Sequence, residues 1–160
     1  MDPLYSFEIA RPVLTAMALF QSDDESRFVL NNTQFEIVSN DLTLAATCGR
    51  RLAVHHDIIL GDNLLTPPPD SASFCIDLRG VAKLPKVKGE RGRMLIVSAF
   101  EKHAEITCDK YKFKADFCET PFPKWRGVIP TADPVAVTHF NVNYELLSSF
   151  GDASKVLDKE

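Results

Sequence analysis

The chain has no closely spaced cysteine pair, no apolar run approaching about 18 residues and none of the compact catalytic signatures. Its four cysteines, Cys48, Cys75, Cys108 and Cys118, stand far apart with no C-x-x-C, so neither a zinc site nor a redox pair is indicated. Without a long apolar run there is no candidate membrane-spanning helix. The first residues carry no charged-then-apolar leader, so the cytoplasm is the expected compartment. The triplet Asn31-Asn32-Thr33 matches a glycosylation acceptor, but no secretory signal accompanies it. G-x-S-x-G, a Walker loop and H-E-x-x-H are all missing, and Asp23-Asp24 fits solvated loop charge better than acid–base chemistry. The expectation is a non-enzyme that needs no cofactor and no metal. Nor is there a surplus of positive charge: the net charge of −4 argues against wholesale coating of nucleic acid, though not against a local basic surface.

What is present suits one folded domain. A 160-residue chain with 45% hydrophobic and 25% charged residues can bury a sizeable core without staples. Phe7–Ile9 reads as a short strand, and Arg11–Gln21 as a helix, with Val13, Leu14, Met17, Ala18 and Phe20 at near-helical spacing and Pro12 in the first turn. Strand pieces are expected at Arg27–Leu30 and Gln34–Val38, then a hairpin through Ser39-Asn40-Asp41. Ala53–Leu60 continues as strand, and its adjacent His55 and His56 face opposite ways, which suits surface or core histidines better than a metal pair. Gly61–Ala72, with its three prolines, reads as a stiff connection and Phe74–Ile76 as a strand. Asp77–Leu84 reads as a second helix, capped by Asp77 and stopped by Pro85. Arg93–Ala99, His103–Cys108 and Tyr111–Cys118 are the clearest strands, the last two joined through Asp109-Lys110. A strand–helix–strands order thus runs twice, predicting an α+β fold with two helices packed on antiparallel sheets.

The most specific stretch is Leu42–Val54, LTLAATCGRRLAV. Leu42, Leu44 and Ala46 alternate with Thr43, Ala45 and Thr47 as in a half-buried strand. Cys48-Gly49 then breaks the pattern, Arg50-Arg51 places two guanidiniums at the bend, and Leu52-Ala53-Val54 resumes an apolar run. On physics alone this is a tight cationic corner between two antiparallel strands, and a solvated hairpin corner would satisfy it. The order of residues is more informative. TCGRRLA resembles the T-D-G-H-R-L-A signature of the bacterial DNA polymerase III beta subunit, the sliding-clamp family. Leu30-Asn31-Asn32 resembles its L-N-G, and FPKWRGVIP at Phe122–Pro130 resembles its F-P-D-Y-R-R-V-L-P, in the same order and at similar spacings. Cys48, Arg50, Asn32, Lys124, Trp125 and Gly127 depart from the family's residues. The resemblance covers roughly Phe7 to Pro130 and is strongest to the family's middle domain.

The resemblance implies a sliding-clamp domain over 1–130. It also implies a tail, 131–160, of linker (Thr131–Pro134), extended segment (Thr138–Asn141) and helix resembling the start of a following clamp domain. Three-domain clamps are more than twice this long, so a piece of a longer clamp and a single-domain relative both fit. Carried over position by position, the peptide-binding pocket comprises Leu30, Thr47, Gly49, Arg50, Arg51, Leu52, Pro123, Gly127 and Val128. Leu30, Leu52, Pro123 and Val128 would form an apolar socket, and Gly49 would admit a close backbone approach. Arg50 and Arg51 would hold carbonyls or carboxylates at the rim. Trp125 reads as a packing anchor, and Lys124 is expected to matter little. Separately, Arg79, Lys83, Lys86 and Lys88 lead a cationic run to Arg93 opposed only by Glu90, spaced to share a face that could contact phosphates without reading bases. An ordinary solvated helix face fits the same run. The implied partners are clamp-binding peptides of polymerase, clamp-loader or repair proteins, duplex DNA held weakly and without sequence preference, and further clamp domains, including copies of this chain. The rival expectation is a structural or self-assembling regulatory module that keeps the fold without a ring role.

Overall fold

Alternating apolar residues drive the described chain into antiparallel strands, which the computed structural model gathers into two sheets. It describes residues 2–59, 64–66, 70–85, 87, 94–129, 131 and 143–158. The strands are β1 (Tyr5–Ala10), β2 (Thr33–Val38), β3 (Asp41–Thr47), β4 (Leu52–Ile58), β5 (Leu64–Thr66), β6 (Ser71–Ile76), β7 (Met94–Ala99), β8 (His103–Cys108) and β9 (Tyr111–Asp116). One sheet has the order β5-β1-β7-β8-β9, the other β4-β3-β2-β6. The hairpins β2–β3 and β8–β9 turn on Ser39-Asn40 and Asp109-Lys110, with Ser39 (φ 56°) and Asp109 (φ 53°) in the left-handed region that such short turns demand.

Both sheets turn one face to a common core. Phe7, Ile9, Leu95, Val97 and Ile106 come from the first sheet, and Phe35, Ile37, Leu42, Leu44 and Ile76 from the second; all are essentially inaccessible. Phe35 stacks on Phe74 at 4.8 Å between ring centres, and Phe117 closes on Phe74 at 4.9 Å. Helix α1 (Arg11–Ala18) adds Val13, Leu14 and Met17 to this core. The expected helix to Gln21 stops at Ala18. The chain then tightens into i→i−3 bonds, and the Gln21 side chain turns inward to bond Thr33 Oγ1, the Ile76 carbonyl and the Leu78 N–H. One buried amide therefore ties the helix end to both β2 and the chain after β6, and leaves no orphaned polar atom of its own.

Three local expectations are corrected. Arg27–Leu30 is not a strand: Glu25–Asn31 forms 3-10 turns. Asp24 accepts the Ser26 N–H at 2.9 Å, and the Asn32 amide donates to the Phe28 carbonyl at 2.7 Å, so local polar groups satisfy the backbone in place of a ladder. Asp77–Leu84 is not an α-helix but a 3-10 helix over Arg79–Lys83. Asp77 does accept the Arg79 N–H, at 2.9 Å, but Pro85 leaves too few residues for i→i−4 bonds to propagate. Arg11 completes this segment by donating to the Leu84 and Pro85 carbonyls. Finally, the stiff connection expected over Gly61–Ala72 contains β5, which pairs with β1 at the sheet edge; residues 67–69, the three prolines, lie outside the described residues.

Beyond the two-sheet body, helix α2 (Tyr144–Leu157) is capped by Asn143, whose side chain accepts the Glu145 N–H at 2.8 Å. It packs on α1: Phe150 meets Phe20 edge-to-face at 4.9 Å, and Ala153 is buried in the core. The extended stretch expected at Thr138–Asn141 lies outside the described residues. Among the described residues no helix is long and apolar enough to cross a membrane.

Candidate functional site

The corner between β3 and β4 is built by a short polar relay. Thr47 pairs with Leu52 across the hairpin, and its hydroxyl accepts the Gly49 N–H at 3.0 Å while donating to the Arg51 carbonyl at 2.6 Å. Gly49 sits at φ +84°, and a Cβ there would lie 3.2 Å from Arg27 Nη1, so both backbone and space favour glycine. Arg51 is fixed by Nε–Cys48 Sγ at 3.3 Å and by lying 5.6 Å over the Phe20 ring. Burial pushes the Cys48 thiol up, but the Arg51 guanidinium and the Arg50 and Arg51 backbone N–H groups outweigh that and hold it below its ordinary value.

The outer face of β3 is covered, which β3's alternation did not show. The segment after β9 crosses it as a strap anchored by Phe122 and Trp125, both buried against Ala45 and Cys75. The Cys118 N–H donates to the Cys75 carbonyl at 2.9 Å, and the strap ends in a 3-10 turn over Trp125–Val128. Arg126 lies 4.2 Å over the Trp125 ring and pairs with Glu36 of β2 at 2.5 Å. β3 is therefore buried on both faces rather than half-buried: Thr43 and Ala45 are buried along with Leu42 and Leu44.

Between corner and strap lies a cavity of about 390 Å³. Three separate segments line it: Leu30 from the 3-10 turns, Thr47, Gly49, Arg50, Arg51 and Leu52 from the corner, and Pro123, Lys124, Trp125 and Val128 from the strap. Eight of the nine residues expected to form a pocket are thus brought together. Gly127 is not; it lines a neighbouring hollow with Gln34 and Glu36. Lys124 and Trp125 had not been assigned to the pocket. A strap that pins one aromatic into a sheet presents the flanking residues sideways, and residue spacing does not reveal which ones face the corner. A neighbouring groove of about 440 Å³ lies between α1, α2 and β4 and shares Leu52 as a common wall.

Residues 8–124 match the family described as DNA polymerase III beta subunit, central domain. The chain belongs to that family. Among solved structures, this beta-subunit domain is similar to the DNA polymerase sliding clamp from Pseudomonas aeruginosa, at 20% identity and TM-score 0.64 over 82% of this chain and 36% of that one. It is similar to DNA polymerase III, beta subunit from Thermotoga maritima at 21% and 0.61, over 79% and 34%. The sliding clamp from Bacillus subtilis gives 18% and 0.62, over 79% and 33%. At such identities the likeness establishes the α+β sliding-clamp fold. The chain spans about a third of the length of those clamps. A search of curated proteins returns no match.

The second expected surface of this beta-subunit domain is less uniform. Arg79 is held by Asp77, with Nε 3.0 Å from both carboxylate oxygens and Nη2 at 2.7 Å, and Asp23 lies 3.6 Å away. That pairing, led by the Asp77 hydrogen bonds, raises the guanidinium further above its ordinary range and compensates its charge locally. Lys83 is exposed, and Lys86 and Lys88 lie outside the described residues. Of the adjacent pair His55-His56, His56 bonds Thr43 Oγ1 at 3.0 Å and His55 lies 3.8 Å from Asp57. Among the described residues no group of three or more His, Cys, Asp or Glu side chains is placed to hold a metal ion.

Proposed function

We propose that this clamp domain is a non-catalytic docking module: its corner cavity receives the apolar end of a short peptide of the Q-x-x-L-F kind. The peptides would come from polymerase, clamp-loader or repair proteins acting in the cytoplasm on replicating DNA. One observation carries the reading. Residues from three segments far apart in sequence converge on one cavity, with Leu30, Leu52 and Val128 as apolar walls and Gly49 bare at the lip. An anchor side chain that fills such a cavity gains roughly 1.5–3 kcal/mol before ordering costs, so one or two anchors bind in about the millimolar to high micromolar range. Contact with duplex DNA, weak and blind to sequence, belongs to an assembled ring in which this chain is one of several clamp domains, and processivity is a property of that ring. Titration of the isotopically labelled chain with such a peptide tests the docking role. Amide shifts clustered at Gly49, Leu52 and Val128 are expected. No shift at saturating peptide would favour a structural module that keeps the fold without the ring role.

A further inference from the structure

The cavity described above is walled by apolar side chains but rimmed by charge of one sign. Arg50 from the corner and Lys124 from the strap are both exposed, and half-buried Arg51 lines the cavity with them. No carboxylate lines the cavity. Elsewhere on the described surface many cations are matched, Arg27 with Asp24, Arg79 with Asp77, Lys112 with Glu105, Lys114 with Asp116, Arg126 with Glu36 and Lys155 with Asp152, while Lys83, Lys102 and Lys110 stand singly. Among the described residues, none of Arg50, Arg51 and Lys124 lies within 4.0 Å of a carboxylate oxygen. This cationic rim belongs to a chain whose net charge is −4, so it runs against the overall sign of the molecule. Arg51 is also immobilised, by Cys48 Sγ and the Phe20 ring, and loses little freedom when it meets an anion.

We infer that the cavity selects peptides whose apolar anchor is flanked by aspartate or glutamate side chains, with Arg50, Arg51 and Lys124 reading the carboxylates. The inference rests on the docking role proposed above and specifies its partner. Three like charges around one opening repel one another, and an entering carboxylate relieves that repulsion while its neighbour fills the apolar interior. Duplex phosphates would also meet the cations, but a sugar–phosphate backbone offers no side chain to fill an apolar interior, so the combination of walls and rim favours a peptide. Exposed ion pairs are individually weak and screened. The expected preference is therefore modest, about three- to tenfold at low salt for two added carboxylates, and it shrinks as salt rises.

Three peptides sharing one Q-x-x-L-F core, flanked by two alanines, two aspartates or two lysines, are titrated into the full chain at about 20 mM and about 500 mM salt. The expected order is acidic, then neutral, then basic, with the spread collapsing at high salt. The double variant Arg50→Gln/Lys124→Gln, both side chains exposed, should retain the fold and bring the three peptides close together. Equal affinity of the three peptides for the unaltered chain would overturn the inference and leave the docking role intact. Binding of none would remove the docking role and the inference with it. Displacement of the acidic peptide by duplex DNA, with shifts confined to Arg50 and Lys124, would assign the rim to phosphates and overturn the inference as well.

Discussion

Trp125 is the perturbation that reports most on how the site is built. It is 5% exposed, packs against Ala45, Cys75 and Phe122, carries Arg126 over its ring at 4.2 Å, and walls the corner cavity. Trp125→Ala removes a buried aromatic, which costs roughly 3–5 kcal/mol, and a cation–π contact of roughly 0.5–1 kcal/mol. A third effect opposes these. The indole Nε1 is buried without a hydrogen-bond partner, a burden of roughly 1–3 kcal/mol that the substitution lifts. The balance is a loss of about 3 kcal/mol, or about 6–12 °C in Tm for a chain of this size. Trp125→Phe keeps most of the apolar area and also discards the orphaned N–H, so it should cost less than about 1.5 kcal/mol. Because Trp125 is the only tryptophan, the variants are followed in urea by far-UV circular dichroism rather than fluorescence. If Trp125→Phe costs as much as Trp125→Ala, the indole N–H has a partner and the ledger is wrong. If Trp125→Ala costs under about 1 kcal/mol, the strap does not pack on the sheet.

Other substitutions probe the corner, the 3-10 helix over Arg79–Lys83 and two thiols. Gly49→Ala should cost about 1 kcal/mol or more in urea unfolding and weaken peptide binding, since φ is +84° and the new methyl meets Arg27. Gly80→Ala would drive a methyl into the Phe113 ring and should cost roughly 1–3 kcal/mol, with the loss shrinking when Phe113→Leu makes room in a double-variant cycle. Alkylation by iodoacetamide at pH 7.5, read by mass spectrometry, should label Cys48 before Cys75. Burial pushes Cys75 up to about 12, whereas Arg51 and the neighbouring backbone N–H groups hold Cys48 down. For Cys75 the unfolded thiol ionises near ~8.5 and the folded one only near 12, so its contribution to stability falls as pH rises between those values. Cys75→Ala should flatten that part of the stability profile.

The pattern of alternation was enough to find most strands, because inward residues such as Phe35, Ile37, Leu42 and Leu44 repeat every second position and have one core to face. It was not enough to say what covers the other face. Thr43 and Ala45 look solvent-facing in sequence and are nonetheless buried, Ala45 beneath a strap from after β9 whose Phe122 and Trp125 pack on it. Helical spacing misled at Asp77–Leu84, where cap and apolar positions are right but Pro85 cuts the run to 3-10 length. The polar caps that turn Glu25–Asn31 away from β structure act through side-chain bonds that a propensity reading does not weigh. For the site, ordered motif strings located the cavity, since each string sits on a different wall. They did not show that Lys124 and Trp125 also line it, nor that Gly127 lies outside it, beside Gln34 and Glu36.

The most direct measurement of the docking role uses the single tryptophan. One indole N–H resonance is expected in a nitrogen-edited proton spectrum, and it belongs to a wall of the cavity. On adding a Q-x-x-L-F peptide, that resonance should move to saturation together with the Gly49 and Leu52 amides. In Leu52→Asp, which places a carboxylate among the apolar walls, it should stay where it is in the free protein. An indole resonance that remains fixed in the unaltered chain at saturating peptide, or one that moves equally in Leu52→Asp, would contradict the assignment of this cavity as a peptide-docking site.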